Sequence, residues 1–192
     1  MKWDFYIINI ISFFFEVYIF NVAFNTIGRK SEHKWLIPLL SGIYVVLASI
    51  VFLFDQLIKT IVNKSLYYGA LKSIIPNLFY LTKVYNQGAA WSIMEGSRVF
   101  LVVISIICLV CLFIYEAKFK TDRKVSFAFG LIYGGLIGNL IDRIRLGYVI
   151  DYLKFYIIKY EFPVFNLADT ALVIGFLILI ISIIKGSDKN DY

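Results

Sequence analysis

Hydrophobic positions along this chain fall into long uncharged runs separated by short polar stretches. Trp35 to Phe54 (WLIPLLSGIYVVLASIVFLF) carries no charge. At about 1.5 Å rise per residue, a helix of that length crosses a hydrocarbon core of about 30 Å. Pro38 falls in its first turn, where a missing N–H does little harm. Val99–Tyr115, Val125–Ile141 and Thr170–Ile184 are predicted as three further spans, the last extending backward through Asp169 toward Asn166. Several are short, so their ends must carry polar residues at the interface. A fifth run, Phe5–Ile27, holds Glu16 near its middle. A charge at the bilayer centre costs about 2.5–3.5 kcal/mol on insertion scales. The run therefore reads either as an extra span or as a helix lying in the interface. A cleaved signal peptide fits less well, because Asp4 spoils the basic start and Glu16 interrupts the apolar region.

Between the first two spans the pattern changes. Asn77–Tyr85 (NLFYLTKVY) is rich in aromatic and β-branched residues and follows Pro76, which predicts one or more short strands in a small extramembrane element. Tyr152–Tyr160 (YLKFYIIKY) mixes aromatics with Lys154 and Lys159, a composition that suits the membrane interface. The chain thus divides into an N-terminal extension (1–34), a four-span core (35–185) and a short tail (186–192).

Composition agrees with solvation by lipid. The chain is 60% hydrophobic and 18% aromatic, with mean hydropathy +0.80, against roughly 45–50% apolar residues in soluble domains. The net charge of +6 suits anionic headgroups better than nucleic acid, since no basic stripe interleaves with aromatics for base stacking. Lys and Arg occur in similar numbers in both sets of loops, so charge alone leaves sidedness open. Cys108 and Cys111 lie in an apolar run and read as small packing residues. His33 is the single histidine, in a polar loop, so neither a His-rich metal site nor a Ser-His-Asp triad is expected. No metal or cofactor is predicted.

The remaining polar residues gather in five places. Asp55 and Lys59 stand four apart at the end of the first span, on one helical face. Asn86-Gln87-Gly88-Ala89-Ala90 permits a turn with close backbone approach. Gly134 and Gly138 allow a neighbouring helix to come close, and Asn139, Asp142 and Arg143 follow on one face. Asp151 sits among Val, Ile and Tyr, where poor solvation should raise its pKa. Asn166 can cap the last helix, with Asp169 in its first turn. Each has a purely structural alternative: an ion pair, a loop, a packing seam or a capping acid. Alternating spans, however, put all five at one membrane face. Two carboxylates brought close share one proton, so one can activate water while the other donates to a carbonyl. Asp151 and Asp169 are the best pair, having no adjacent arginine, whereas Asp142 has Arg143 beside it and Asp55 shares a face with Lys59.

In this order, D-Q-x-x-K (Asp55–Lys59), N-x-G-A-A (Asn86–Ala90), G-N-x-x-D-R (Gly138–Arg143), G-x-V-x-D (Gly147–Asp151) and F-N-x-A-D (Phe165–Asp169) resemble lipoprotein signal peptidase, or signal peptidase II. The resemblance implies an all-α membrane protein, with four transmembrane helices, a small extracytoplasmic β cradle after the first and an interfacial helix before the fourth. It implies an aspartic endopeptidase with Asp151 and Asp169 as the dyad. Asp55, Lys59, Asn86, Gly88, Asn139, Asp142, Arg143 and Asn166 would shape the site and hold substrate. The implied substrates are bacterial prolipoproteins, cut before a diacylglyceryl-modified cysteine at the outer face of the cell (inner) membrane. Membrane lipids and globomycin-type inhibitors are the other implied partners. Trp91 and Tyr152 stand where the family usually has phenylalanine, and the stretch before Trp35 lies outside the resemblance. A transporter or channel would need polar groups along its spans, whose centres here are nearly free of them. A non-catalytic scaffold would leave the grouped acids unexplained.

Overall fold

The computed structural model describes residues 36–88, 97–116, 123–158 and 160–187. The run Phe5–Ile27, His33, Trp91 and residues 188–192 lie outside the described residues. In chain order the elements are α1 (Leu36–Ser65), β1 (Lys72–Ile75), β2 (Phe79–Asn86), α2 (Arg98–Glu116), α3 (Arg123–Arg145), β3 (Val149–Ile157), β4 (Tyr160–Glu161) and α4 (Leu167–Ser187).

Three helical stretches among the described residues are long and apolar enough to cross a membrane: Gly42–Ser65, Arg123–Arg145 and Leu167–Lys185. Arg98–Ile114 is apolar but shorter. Their outward faces remain hydrophobic. Val46, Ile50, Leu53, Phe54, Leu57 and Ile61 are exposed along α1, as are Val173, Ile174, Leu177, Ile180 and Ile181 along α4. A helix that is apolar all round needs lipid or protein on every side. Cys108 and Cys111 belong to this outward surface of α2 and are exposed. The expectation that they pack inside the protein is therefore corrected.

Helix α1 continues past Phe54 to Ser65, which places Asp55 and Lys59 inside the helix rather than at its end. The central element is α3, which packs against α1, α2 and α4. Its interface is a core of Tyr44, Ala48 and Phe52 from α1, Val125, Ala128, Phe129, Ile132 and Tyr133 from α3, and Leu179 from α4. Glycines set the spacing. A Cβ on Gly134 would come within 2.7 Å of the Ala48 carbonyl oxygen, and one on Gly135 would collide with the carbonyl oxygen of Ala168. The backbone of α3 thus touches α1 on one side and α4 on the other, with no lateral slack.

The extramembrane element is an antiparallel sheet in the order β1-β2-β3-β4. Phe79 pairs with Phe155 across β2 and β3, and their rings stack at 4.6 Å. The predicted strand is present, shifted slightly, because Asn77 takes a left-handed φ of 62° in the β1–β2 turn. The interfacial helix expected before the last span is absent among the described residues, where Val149–Ile157 is strand. Its aromatic and β-branched residues pair with β2 instead. Gly147 makes the change of direction, with φ 88° just after α3, where its N–H reaches the Arg143 carbonyl at 3.2 Å. From there the chain enters β3, and Asp151 follows four residues later.

Gly135→Ala should lower stability by about 1–3 kcal/mol, because the colliding atom is backbone and cannot swing away. Thermal unfolding in detergent measures this, and an unchanged midpoint would show that α3 and α4 are not held at this contact.

Candidate active site

The site is built on the first turn of α4. A helix N-terminus leaves its first N–H groups without intrahelical partners, and here those groups are matched. The Leu167 N–H donates to the Tyr152 hydroxyl at 3.1 Å, and the Ala168 N–H donates to Asp55 Oδ1 at 3.1 Å. The Asp169 N–H donates to Asn166 Oδ1 at 2.9 Å, and in return the Asn166 N–H donates to Asp169 Oδ2 at 3.1 Å. This reciprocal pair is a capping box made of Asn and Asp. It fixes the Asp169 side chain against the helix start.

Behind this turn lies a buried cation between two carboxylates. Lys59 Nζ is 2.8 Å from Asp55 Oδ2 and 2.8 Å from Asp142 Oδ2, with all three side chains nearly inaccessible. It also donates to Asn139 Oδ1 at 2.9 Å. Gln56 Nε2 donates to Asp142 Oδ1 at 2.9 Å, tying α1 to α3 a second time. Asn139 Nδ2 then donates to Asp169 Oδ1 at 2.8 Å.

Asp151 arrives from β3. Its cross-strand neighbour is Val84, so Asn86, two residues further along β2, lies on the same face. Asn86 Nδ2 donates to Asp151 Oδ2 at 2.9 Å, and Asn166 Nδ2 donates to Asp151 Oδ1 at 2.6 Å. Every oxygen of Asp151 and Asp169 thus accepts an N–H. Burial pushes the Asp151 carboxyl up to about 7, and the nearby Asp169 carboxylate pushes the same way. The donors Asn86 and Asn166, and the charge of Lys59, oppose them. Burial also raises the Tyr152 phenol, which stays a neutral hydroxyl.

Both acids line one cavity of about 520 Å³, together with Asn86, Asn139 and Arg143. The rest of its wall is mostly apolar, including Phe162, Pro163, Val164, Phe165, Leu172, Val173 and Ile174. Two carboxyls on one cavity can share a proton, and the apolar wall can take a hydrophobic chain. Among the described residues no cluster of His, Cys, Asp and Glu could hold a metal ion.

All ten residues singled out from the sequence converge here: five on the cavity, four behind it, and Gly88 beside Arg143 and Asn86. Asn86, Asn139, Arg143, Asp151 and Asp169 line the cavity. Asp55, Lys59, Asp142 and Asn166 stand behind them, buried. The carbonyl of Gly88 accepts from Arg143 Nη2 at 3.0 Å, and its N–H donates to Asn86 Oδ1 at 2.9 Å. Asn86 ends strand β2 rather than sitting in a loop. Asp142 pairs with Lys59, not with adjacent Arg143. Sequence reasoning gave no role to Gln56, to the Tyr152 hydroxyl or to the apolar wall at Phe162–Val164. Gln56 stood inside a motif already quoted, and Tyr152 stood beside Asp151. The apolar wall had no signal against a hydrophobic background.

Lys59→Met should destabilise the fold by about 3–5 kcal/mol, because it strands two buried carboxylates. Denaturation in detergent beside wild type tests this, and a loss below about 1 kcal/mol would mean that water reaches the pair.

Comparison with known proteins follows the same residues. The family profile for signal peptidase (SPase) II matches residues 47–185. A bacterial membrane enzyme solved by the in meso method at 2.3 Å is 34% identical, with a TM-score of 0.74 over 79% of this chain and 92% of that one. A second such bacterial membrane enzyme structure, at 1.9 Å, is 35% identical, with a TM-score of 0.68 over 75% of this chain and 94% of that one. With its acids, amides and buried ion pairs inside the matched segment, the chain belongs to the signal peptidase II family, aspartic peptidases that cleave the signal peptides of lipoproteins.

Proposed function

We propose that Asp151 and Asp169 are the catalytic dyad of this peptidase, and that it cuts prolipoproteins just before a diacylglyceryl-modified cysteine. The observation that carries this reading is the meeting of the two acids, from β3 and from α4, at one cavity whose remaining wall is mostly apolar. A lipidated segment needs that combination of hydrophobic contact and a few placed polar groups.

Asp151, with its carboxyl near 7, is the member that holds the proton. Asp169, in the first turn of α4, is the ionised member. Water attacks the scissile carbonyl carbon while Asp169 takes its proton and Asp151 protonates the carbonyl oxygen. The carbonyl then re-forms and returns a proton to Asp151. The C–N bond breaks, and the proton on Asp169 passes to the leaving amine of the cysteine. Asn86, Asn139 and Arg143 face the substrate. The Arg143 Nε–H is buried and has no acceptor among the described residues. Asp55, Lys59, Asp142, Gly88 and Asn166 hold these groups in place.

The wider architecture we infer has four spans, with α2 as the shorter one, and the sheet and cavity at the extracytoplasmic face of the bacterial inner membrane. Core residues 35–185 do the chemistry, preceded by extension 1–34 and followed by tail 186–192. Membrane lipids bathe the apolar faces. Globomycin-type cyclic peptides, having apolar and amide groups, fit the same cavity.

Asp151→Asn and Asp169→Asn should each reduce cleavage of a lipidated prolipoprotein by at least about 10³-fold while the protein stays folded. Activity surviving both changes would remove the dyad and point to Asp142 or Asp55. The pH profile gives a second check. Above the carboxyl value near 7 Asp151 loses the proton it must donate, so kcat/KM should fall on the alkaline side with an apparent pKa near 7. A rate that stays flat from pH 6 to pH 8, roughly one unit either side, would be incompatible with Asp151 as the acid.

A further inference from the structure

We infer that Lys59 is a positioning residue that acts on the acids through the amide of Asn139, fixing which end of that amide faces Asp169. This rests on the reading of Asp151 and Asp169 as the dyad. Lys59 is 2% exposed and does not line the cavity, so it cannot touch a substrate held there. An ammonium has three N–H groups and no acceptor. The oxygens nearest Lys59 Nζ are Asp55 Oδ2 and Asp142 Oδ2, both ion-paired at 2.8 Å, and Asn139 Oδ1, which accepts an N–H at 2.9 Å.

The consequence is directional. Only the oxygen of Asn139 can face Lys59. Asn166 Nδ2, also a donor, reaches the same oxygen at 3.2 Å. The Asn139 amide nitrogen is therefore turned to Asp169 Oδ1. If the amide were reversed, its one nitrogen would meet two donors, Lys59 and Asn166, and its oxygen would face the Asp169 carboxylate oxygen. Asn166 is oriented by the same logic. Its oxygen takes the Asp169 N–H, so its nitrogen must point to Asp151. Lys59 and the α4 N-terminus thus set one polarity for the network, with donors aimed at both carboxyls. A donor on the ionised form favours that form. The charged groups facing the pair are Lys59 from α1 and Arg143 from α3.

The test uses the full-length protein in detergent with a lipidated prolipoprotein. The variant is Lys59→Met/Asp142→Asn, which removes one charge of each sign and leaves the cluster's net charge unchanged. Gln56 keeps an acceptor at residue 142. We expect a folded enzyme with KM within about twofold of wild type and kcat lower by about 10- to 100-fold. The acid limb of its pH profile should move upward, because the pair has lost a fixed donor. Asn139→Asp is the second variant, for the case in which the first does not fold. It keeps an acceptor for Lys59 and loses the donor to Asp169, and should show the same fall in kcat. Wild-type kcat and an unmoved pH profile in the folded double variant overturn the inference, as does wild-type kcat in Asn139→Asp. A raised KM with unchanged kcat overturns it too, by assigning Lys59 to substrate holding. Asp151→Asn, run alongside, separates the two readings: if it still cleaves, the dyad has failed rather than the role of Lys59.

Discussion

The first turn of α4 must begin where water is scarce, and its N–H groups need partners there. Backbone donors left unpaired in a low dielectric cost several kcal/mol each. Four separate residues meet this demand: Tyr152 from β3, Asp55 from α1, and Asn166 and Asp169 from the turn itself. Their convergence locks the sheet, the first helix and the last helix into one register. Asp169 cannot move without breaking the cap, and Asp151 is tied to the same Asn166. The need to satisfy a helix end therefore also sets the geometry of the two acids.

The buried ion cluster follows from that demand. Asp55 is placed to serve Ala168, which leaves a carboxylate with no exposure to solvent. Such a group requires a cation, and Lys59 stands one turn later on the same face. Asp142 from α3 pairs with the same ammonium, and the Asn139 oxygen accepts one of its N–H groups. Buried ion pairs of this kind add little net stability compared with an apolar core of the same shape. Their contribution here is orientation: each amide in the network has one arrangement that leaves no donor facing a donor.

Much of this was legible in the sequence because membrane spans are nearly free of polar residues, so the exceptions stand out. All five motifs and their common face could be read from Asp55 to Asp169. The partners of each charge could not. Spacing put Arg143 beside Asp142, but α3 directs Asp142 toward α1 and Arg143 toward Gly88. The length of α1 was underestimated because Asp55 and Lys59 look like an interface, although each neutralises the other inside the helix. The segment after Gly147 read as interfacial because aromatics and lysines suit both a headgroup layer and an amphipathic strand. Pairing with β2 decides between them, and pairing is a long-range property. Residues such as Phe162 and Val164 carried no signal, since an apolar wall is invisible in an apolar chain.

The glycine seam and the polar site are one construction. Gly134 and Gly135 let α3 lie against the backbones of α1 and α4. Gly138 continues the seam by one turn, and there the neighbour changes from backbone to carboxylate. A Cβ at Gly138 would lie 2.7 Å from Asp55 Oδ2 and 3.5 Å from the Ala168 Cβ. Asp55 crosses through that gap to reach the Ala168 N–H, and Gln56 reaches the Gly138 carbonyl at 3.3 Å. A side chain at residue 138 would push Asp55 away from α4, and the cap, the Lys59 pairing and the Asn139 orientation would all shift with it. The close approach of three helices is thus what allows a carboxylate on the first to organise acids carried by a strand and by the last. The site begins where the seam ends, at the glycine whose neighbour is no longer backbone but the Asp55 carboxylate.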